Sequence, residues 1–98
     1  MHLSKLQKYI LKQAFAQGPR CPRAVFESFY DNVGEQEIKV ITVSIERLIL
    51  KGFLKGYGYK TAEKLFIEYV TLTPAGRKEA RRLFDDEQKL PFGGRTVR

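Results

Sequence analysis

Three lysines and two tyrosines crowd one short stretch: Lys55, Tyr57, Tyr59, Lys60 and Lys64, interleaved with Gly56 and Gly58. Ammonium groups attract phosphate and phenolic hydroxyls donate to it, while glycines let a backbone come close. A second set lies upstream: Lys39, Thr42, Val43 and Arg47, with Glu46 among them. An arginine can hold a guanine edge or a phosphate. A Thr or Val methyl can touch a thymine methyl, and a glutamate can accept from a cytosine amine. Both sets suit a polyanion with edges to read. Each also has a plainer reading. Lysines guard the edges of an ordinary hairpin, and a mixture of Arg and Glu is what a solvated helix face carries.

Placing these residues requires the elements around them. Ile38, Ile41, Ile45 and Leu48 recur at i, i+3, i+7 and i+10, which predicts a helix from Glu35, Gln36 or Glu37 to about Lys51 with that stripe in the core. The β-branched run from Val40 to Ile45 also fits a strand, but the helical period persists for more than ten residues. At 100° per residue, Lys39, Val43, Glu46, Arg47 and Leu50 then face solvent, flanked by Val40, Thr42 and Ser44. Gly52 stands where a helix end needs a left-handed residue. Phe53 to Tyr57 and Leu65 to Leu72 read as antiparallel strands joined by a wing, Gly58 to Lys64. The second strand is too apolar on both sides to say which set faces inward.

Two helices precede this unit. Ser4 and Gln7 form a capping box for a helix to about Gln17, with Leu6, Ile10, Leu11, Ala14 and Phe15 inward. A second helix is expected from Pro22 to Tyr30, with Val25, Phe26 and Phe29 inward. After the strands, Thr73 and Pro74 open a last helix, with Ala80, Leu83 and Phe84 on its seam and Arg77, Lys78, Arg81 and Arg82 opposite. Residues 1–89 read as one domain and 90–98 as a flexible tail.

The order helix, helix, helix, strand, strand, helix resembles the winged helix-turn-helix superfamily, among small prokaryotic regulators and comparable proteins of archaea and their viruses. Arg47-Leu48-Ile49-Leu50-Lys51-Gly52-Phe53-Leu54 is similar to that superfamily's "RLxxKGxL" exit from the recognition helix. Leu72-Thr73-Pro74-Ala75-Gly76-Arg77 is similar to its "LTxxGR" step into the last helix. The resemblance spans residues 3 to 84. It implies an α+β, mainly α fold: three helices, a two-stranded β wing and a C-terminal helix. It also implies a DNA-binding transcriptional regulator working as a homodimer, with the helix in a groove and the wing on the backbone or in the minor groove. Two other expectations stay open. One is a winged-helix module that docks protein. The other is an RNA or single-strand binder that stacks bases on Tyr57 and Tyr59.

The charge pattern qualifies the DNA expectation. The chain has 98 residues, 43% apolar and 12% aromatic, with a net charge of +7. Such a balance favours nucleic acid or an anionic surface. Its distribution is uneven. Residues 1–23 hold five basic side chains and no acid, and 51–84 hold eight basic and three acidic ones. Residues 24–50, which include the reading helix, hold five acids and two bases. Phosphates would repel that segment unless its acids point away, so the wing and its flanks should supply most of the attraction.

Other classes have little support. His2 is the sole histidine and Cys21 the sole cysteine, so neither a nucleophile–base pair nor zinc spacing exists. Asp85-Asp86-Glu87 suits the end of a surface helix better than a metal site. There is no Gly-rich phosphate loop before a helix and no second domain to house an effector. The expectations are therefore no enzyme, no cofactor, no metal and no small-molecule substrate. Cys21 reads as a small, partly buried apolar residue, and a lone cysteine gives no sign of an oxidising compartment. Lys5, Lys8 and Lys12 break any signal-peptide run, and no stretch approaches the roughly 20 apolar residues of a membrane span. The expected setting is the cytoplasm.

Overall fold

The computed structural model describes residues 2–62 and 65–88, so Lys64 and the expected tail at 90–98 lie outside the described residues. Helix α1 is Lys5–Gln17. Strand β1, Cys21–Pro22, leads into a 3-10 helix, Arg23–Phe29, and then α2, Glu35–Leu50. Strands β2, Leu54–Lys60, and β3, Leu65–Leu72, form a hairpin, and α3 is Pro74–Gln88. The sheet is antiparallel with β3 in the middle and β2 at one edge.

Local chemistry explains most boundaries. The Ser4 hydroxyl accepts from Gln7 N–H at 3.1 Å and the Gln7 amide oxygen accepts from Ser4 N–H at 2.9 Å, the reciprocal pair expected for α1. Glu37 accepts from the Gly34 N–H at 2.8 Å and so covers one open donor before α2. At the far end of α2, Gly52 takes φ +84°, Gly52 N–H donates to Ile49 and Phe53 N–H to Leu48. That pair of bonds is a Schellman ending and requires the left-handed residue the sequence supplies.

The two sequence motifs clasp each other. Thr73 caps α3 by accepting from Gly76 N–H at 3.0 Å, and its hydroxyl donates to the Gly52 carbonyl at 2.5 Å. The Thr73 N–H donates to Phe53. A Cβ on Gly76 would stand 1.9 Å from the Phe53 carbonyl oxygen, so the start of α3 can seat there only as glycine. The exit of α2 and the entry of α3 are thus one joint.

The core lies between α1, α2, α3 and the inner sheet face. Ile10, Leu11, Phe26, Ile41, Ile45, Leu48 and Val70 have no exposed surface, and Phe15 packs at a tilt, 5.7 Å from Phe84, to seat α3 on α1. Cys21 joins this core, and burial pushes its thiol pKa up to about 11. On the outer side of α3, Arg82 pairs with Glu79 and, at 2.8 Å, with Asp86.

Some expectations fail in detail. The helix expected over Pro22–Tyr30 is a shorter 3-10 turn. Pro22 is extended and pairs with Tyr69, and Cys21 pairs with Val70, so the chain enters the sheet first. The Ser28 hydroxyl donates to the Val25 carbonyl three residues back, in keeping with the tighter pitch. That pitch leaves Phe26 buried but Phe29 36% exposed, its ring resting against Tyr9 and Tyr30 rather than in the core. Ile38, placed in the core stripe by its spacing, is 42% exposed because the core does not reach the first turn of α2. Ser44 takes the inward place instead and is buried.

Candidate nucleic-acid interface

Helix α2 presents its outer side as the 3.6 period requires. Lys39, Val43, Glu46, Arg47 and Leu50 are exposed, opposite buried Ile41, Ile45 and Leu48. The face mixes two bases and one acid with uncovered methyl groups. Leu50 is 86% exposed and Val40 47%. Of the acids in this segment, Glu37 is turned back to the helix start, whereas Glu46 stays exposed on this face.

Thr42 behaves differently from its neighbours. Its hydroxyl donates to the Ile38 carbonyl at 3.0 Å and accepts from Arg23 Nη2 at 2.9 Å, while the same guanidinium lies 3.3 Å from the Ile38 carbonyl. Its hydroxyl is thus engaged inside the protein, and only its methyl is left for a thymine. Arg23 ties the 3-10 helix to the first turns of α2. Sequence reasoning missed it because its partners lie 15 and 19 residues away.

The wing is ordered by a bulge. Tyr57 pairs with Tyr69, but Gly58 pairs with Ile67, so Glu68 is an extra residue in β3. Strand side chains alternate between faces. The extra residue resets that alternation, so Val70 and Ile67 both point inward and are buried while Tyr69 and Phe66 both point outward. This decides the facing that the apolar pattern left open.

The glycines of β2 answer to the same geometry. A Cβ on Gly56 would meet Ile49 of α2 at 3.0 Å, and one on Gly58 would stand 1.8 Å from the Phe66 carbonyl oxygen. Both glycines serve packing within the protein, where their spacing had suggested close approach to a ligand. The contact with Ile49 also places α2 on the inner side of the sheet. Lys55, Tyr57 and Tyr59 alternate with Gly56 and Gly58 and so stand on the outer side. The residues singled out in the sequence therefore fall into two surfaces: Lys39, Val43 and Arg47 on α2, and Lys55, Tyr57 and Tyr59 behind it. Lys60 is exposed at the end of β2.

On the outer side the rings are paired across the strands. Tyr57 lies on Tyr69 with centroids 5.0 Å apart and planes 10° from parallel, and Tyr59 lies on Phe66 at 5.0 Å and 21°. Arg20 covers the far face of the first pair, its guanidinium 5.3 Å from the Tyr69 centroid. Among the described residues, no group of three His, Cys, Asp or Glu side chains could hold a metal ion, and no helix is long and apolar enough to cross a membrane.

This arrangement matches a known architecture. Among solved structures, the chain is similar to the crystal structure of the adhesin competence repressor AdcR of Streptococcus pyogenes, with a TM-score of 0.61 over 87% of this chain. The chain has a winged-helix fold. In it the β2–β3 hairpin is the wing, and α2 is the helix that leads into it. Identity with the repressor is 19%, and the winged-helix chain spans 57% of the repressor's length. No protein-family model and no curated protein matches the sequence.

Proposed function

We propose that the protein is a cytoplasmic transcriptional regulator that binds double-stranded DNA. Helix α2 enters a groove, and Lys60 at the end of the wing strand β2 holds a phosphate beside it. The observation that carries this reading is the outer side of α2, where Lys39, Val43 and Arg47 stand exposed together on a helix whose opposite side is locked into the core. Arg47 is the donor for a guanine edge, Val43 and the Thr42 methyl are the apolar contacts, and Lys39 and Lys60 are phosphate contacts. The repressor's fold supports a regulatory role. One helix reads only a few base pairs, so the protein acts as a homodimer on two half-sites.

Titration of fluorescent duplex DNA at low and rising salt tests the proposal. Binding near 50 mM salt that weakens steeply as salt rises is expected. Absence of binding, or binding indifferent to salt, ends it. Selection from random duplexes then shows whether the preferred site is two-fold.

A second reading is favoured by one specific feature. Ile38, Val40, Val43 and Leu50 leave a substantial apolar area on the same helix, which suits a protein partner as well as thymine methyls. Stoichiometric recovery of a partner protein, from a preparation free of nucleic acid, would favour docking over DNA.

A further inference from the structure

The outer face of the wing carries features that duplex binding through α2 leaves unused. Its aromatic side chains form two short stacks that run across the strands: Arg20–Tyr69–Tyr57 and Phe66–Tyr59. Each stack ends at β2, which is the edge of the sheet. One ring face of Tyr57 is covered by Tyr69 and one of Tyr59 by Phe66. Tyr57 is still 40% exposed and Tyr59 53%. Among the described residues, no strand pairs beyond β2 and no ring or cation is recorded over the second face of either tyrosine. The edge thus ends in two flat π surfaces.

Their spacing suggests what they take. Residues 57 and 59 are two apart on one strand, so the rings sit side by side about 7 Å apart. Bases in a stacked helix rise about 3.4 Å per nucleotide. A duplex cannot offer base faces at this edge, because its bases are covered above and below. A drawn-out single strand can, with successive bases unstacked from each other and laid on successive tyrosines. Stacking of this kind tolerates any base. Lys55 is exposed on the same side of β2 as the tyrosines, and Arg20 closes the inner end of the first stack. Glu68, exposed on the bulge, is the one acid among the described residues of the hairpin.

We propose that this edge is a second nucleic-acid site, distinct from α2, which binds a single strand by continuing the Tyr57 and Tyr59 stacks with two successive bases while Lys55 holds a flanking phosphate. A protein with both sites can hold a duplex and a neighbouring unpaired segment at once.

The test uses the whole chain with an oligothymidylate 12-mer and, in a parallel arm, an oligouridylate 12-mer. Either one binding supports the site, and an oligodeoxyuridylate 12-mer, which differs from the oligouridylate only in the sugar, shows whether the 2′-hydroxyl matters. The ring protons of Tyr57 and Tyr59 in the wild-type protein should shift upfield on titration, and the intrinsic tyrosine fluorescence should fall. Replacing both tyrosines, Tyr57→Leu with Tyr59→Leu, should weaken single-strand binding about tenfold or more and leave duplex binding within about twofold. The double variant Tyr57→Phe with Tyr59→Phe, which keeps the rings, should bind single strands nearly as wild type. No single-strand binding at low salt overturns the proposal, as do shifts confined to α2 or a folded Leu variant that binds like wild type. Arg47→Ala separates the two sites, because it should weaken duplex binding alone. Loss of the single-strand result therefore leaves the duplex reading standing, and the converse also holds.

Discussion

Arg47 and Lys60 make different demands on a binding experiment. A groove-reading Arg47 should show itself as selectivity. Arg47→Ala is expected to cost about 1–3 kcal/mol on the preferred duplex and to relax preference at one base pair, measured by competition among point-changed duplexes. Lys60→Ala should weaken every duplex alike and reduce the slope of log affinity against log salt by about 0.9. Cys21 makes a separate, chemical prediction. Its buried thiol keeps its proton to about pH 11, whereas an unfolded thiol ionises near its ordinary 9.0. Ionisation therefore favours unfolding. Below pH 9.0 the thiol leaves stability untouched, and between 9.0 and 11 stability falls as pH rises. Alkylation at pH 8 should be slow in buffer and fast in denaturant; equal rates would show that the side chain is not buried.

Elements were legible in the sequence to the extent that their causes are local. The α1 capping box, the left-handed Gly52 and the Thr73-Pro74 start of α3 each depend on residues within one or two turns, and each stands where the pattern placed it. Strand β1 did not declare itself, because two residues have no period; only pairing with Val70 and Tyr69 makes Cys21–Pro22 a strand. The bulge was hidden for a related reason. With apolar residues on both sides of β3, a slip of one residue leaves the pattern unchanged. The Arg23 contact to α2 needs the folded chain to exist at all. Arg23→Ala should cost about 1–3 kcal/mol of stability and weaken duplex binding without changing its salt slope, since Arg23 orders α2 and touches no phosphate. A denaturant titration paired with the salt series checks both halves.

At the scale of the molecule, the joint at Gly52, Phe53, Thr73 and Gly76 connects α2, the wing and α3. Gly76→Ala forces a methyl onto the Phe53 carbonyl, and a loss of roughly 2 kcal/mol or more is expected by thermal unfolding. Because the contact lies far from the exposed side of α2, DNA affinity of the folded fraction should change little. The site was less legible than the fold. Charge and residue type picked out the candidates, but the sheet separates them. Lys39, Val43 and Arg47 lie on one side, Tyr57 and Tyr59 on the other, and the partners of those tyrosines, Tyr69, Phe66 and Arg20, lack any spacing that links them in the chain. Only the register reveals the grouping.

Glu68 is also the residue of β3 that the ladder runs past. Removing it would close the bulge and set Ile67 directly after Tyr69, leaving Ile67 inward and Phe66 outward as they stand now. Removing Ile67 instead would close the same bulge with Glu68 in the inward place, burying a carboxylate where an isoleucine had been. The two deletions give chains of equal length and opposite fates. Loss of Glu68 should leave a folded protein and loss of Ile67 should not, and thermal unfolding of the pair would tell them apart.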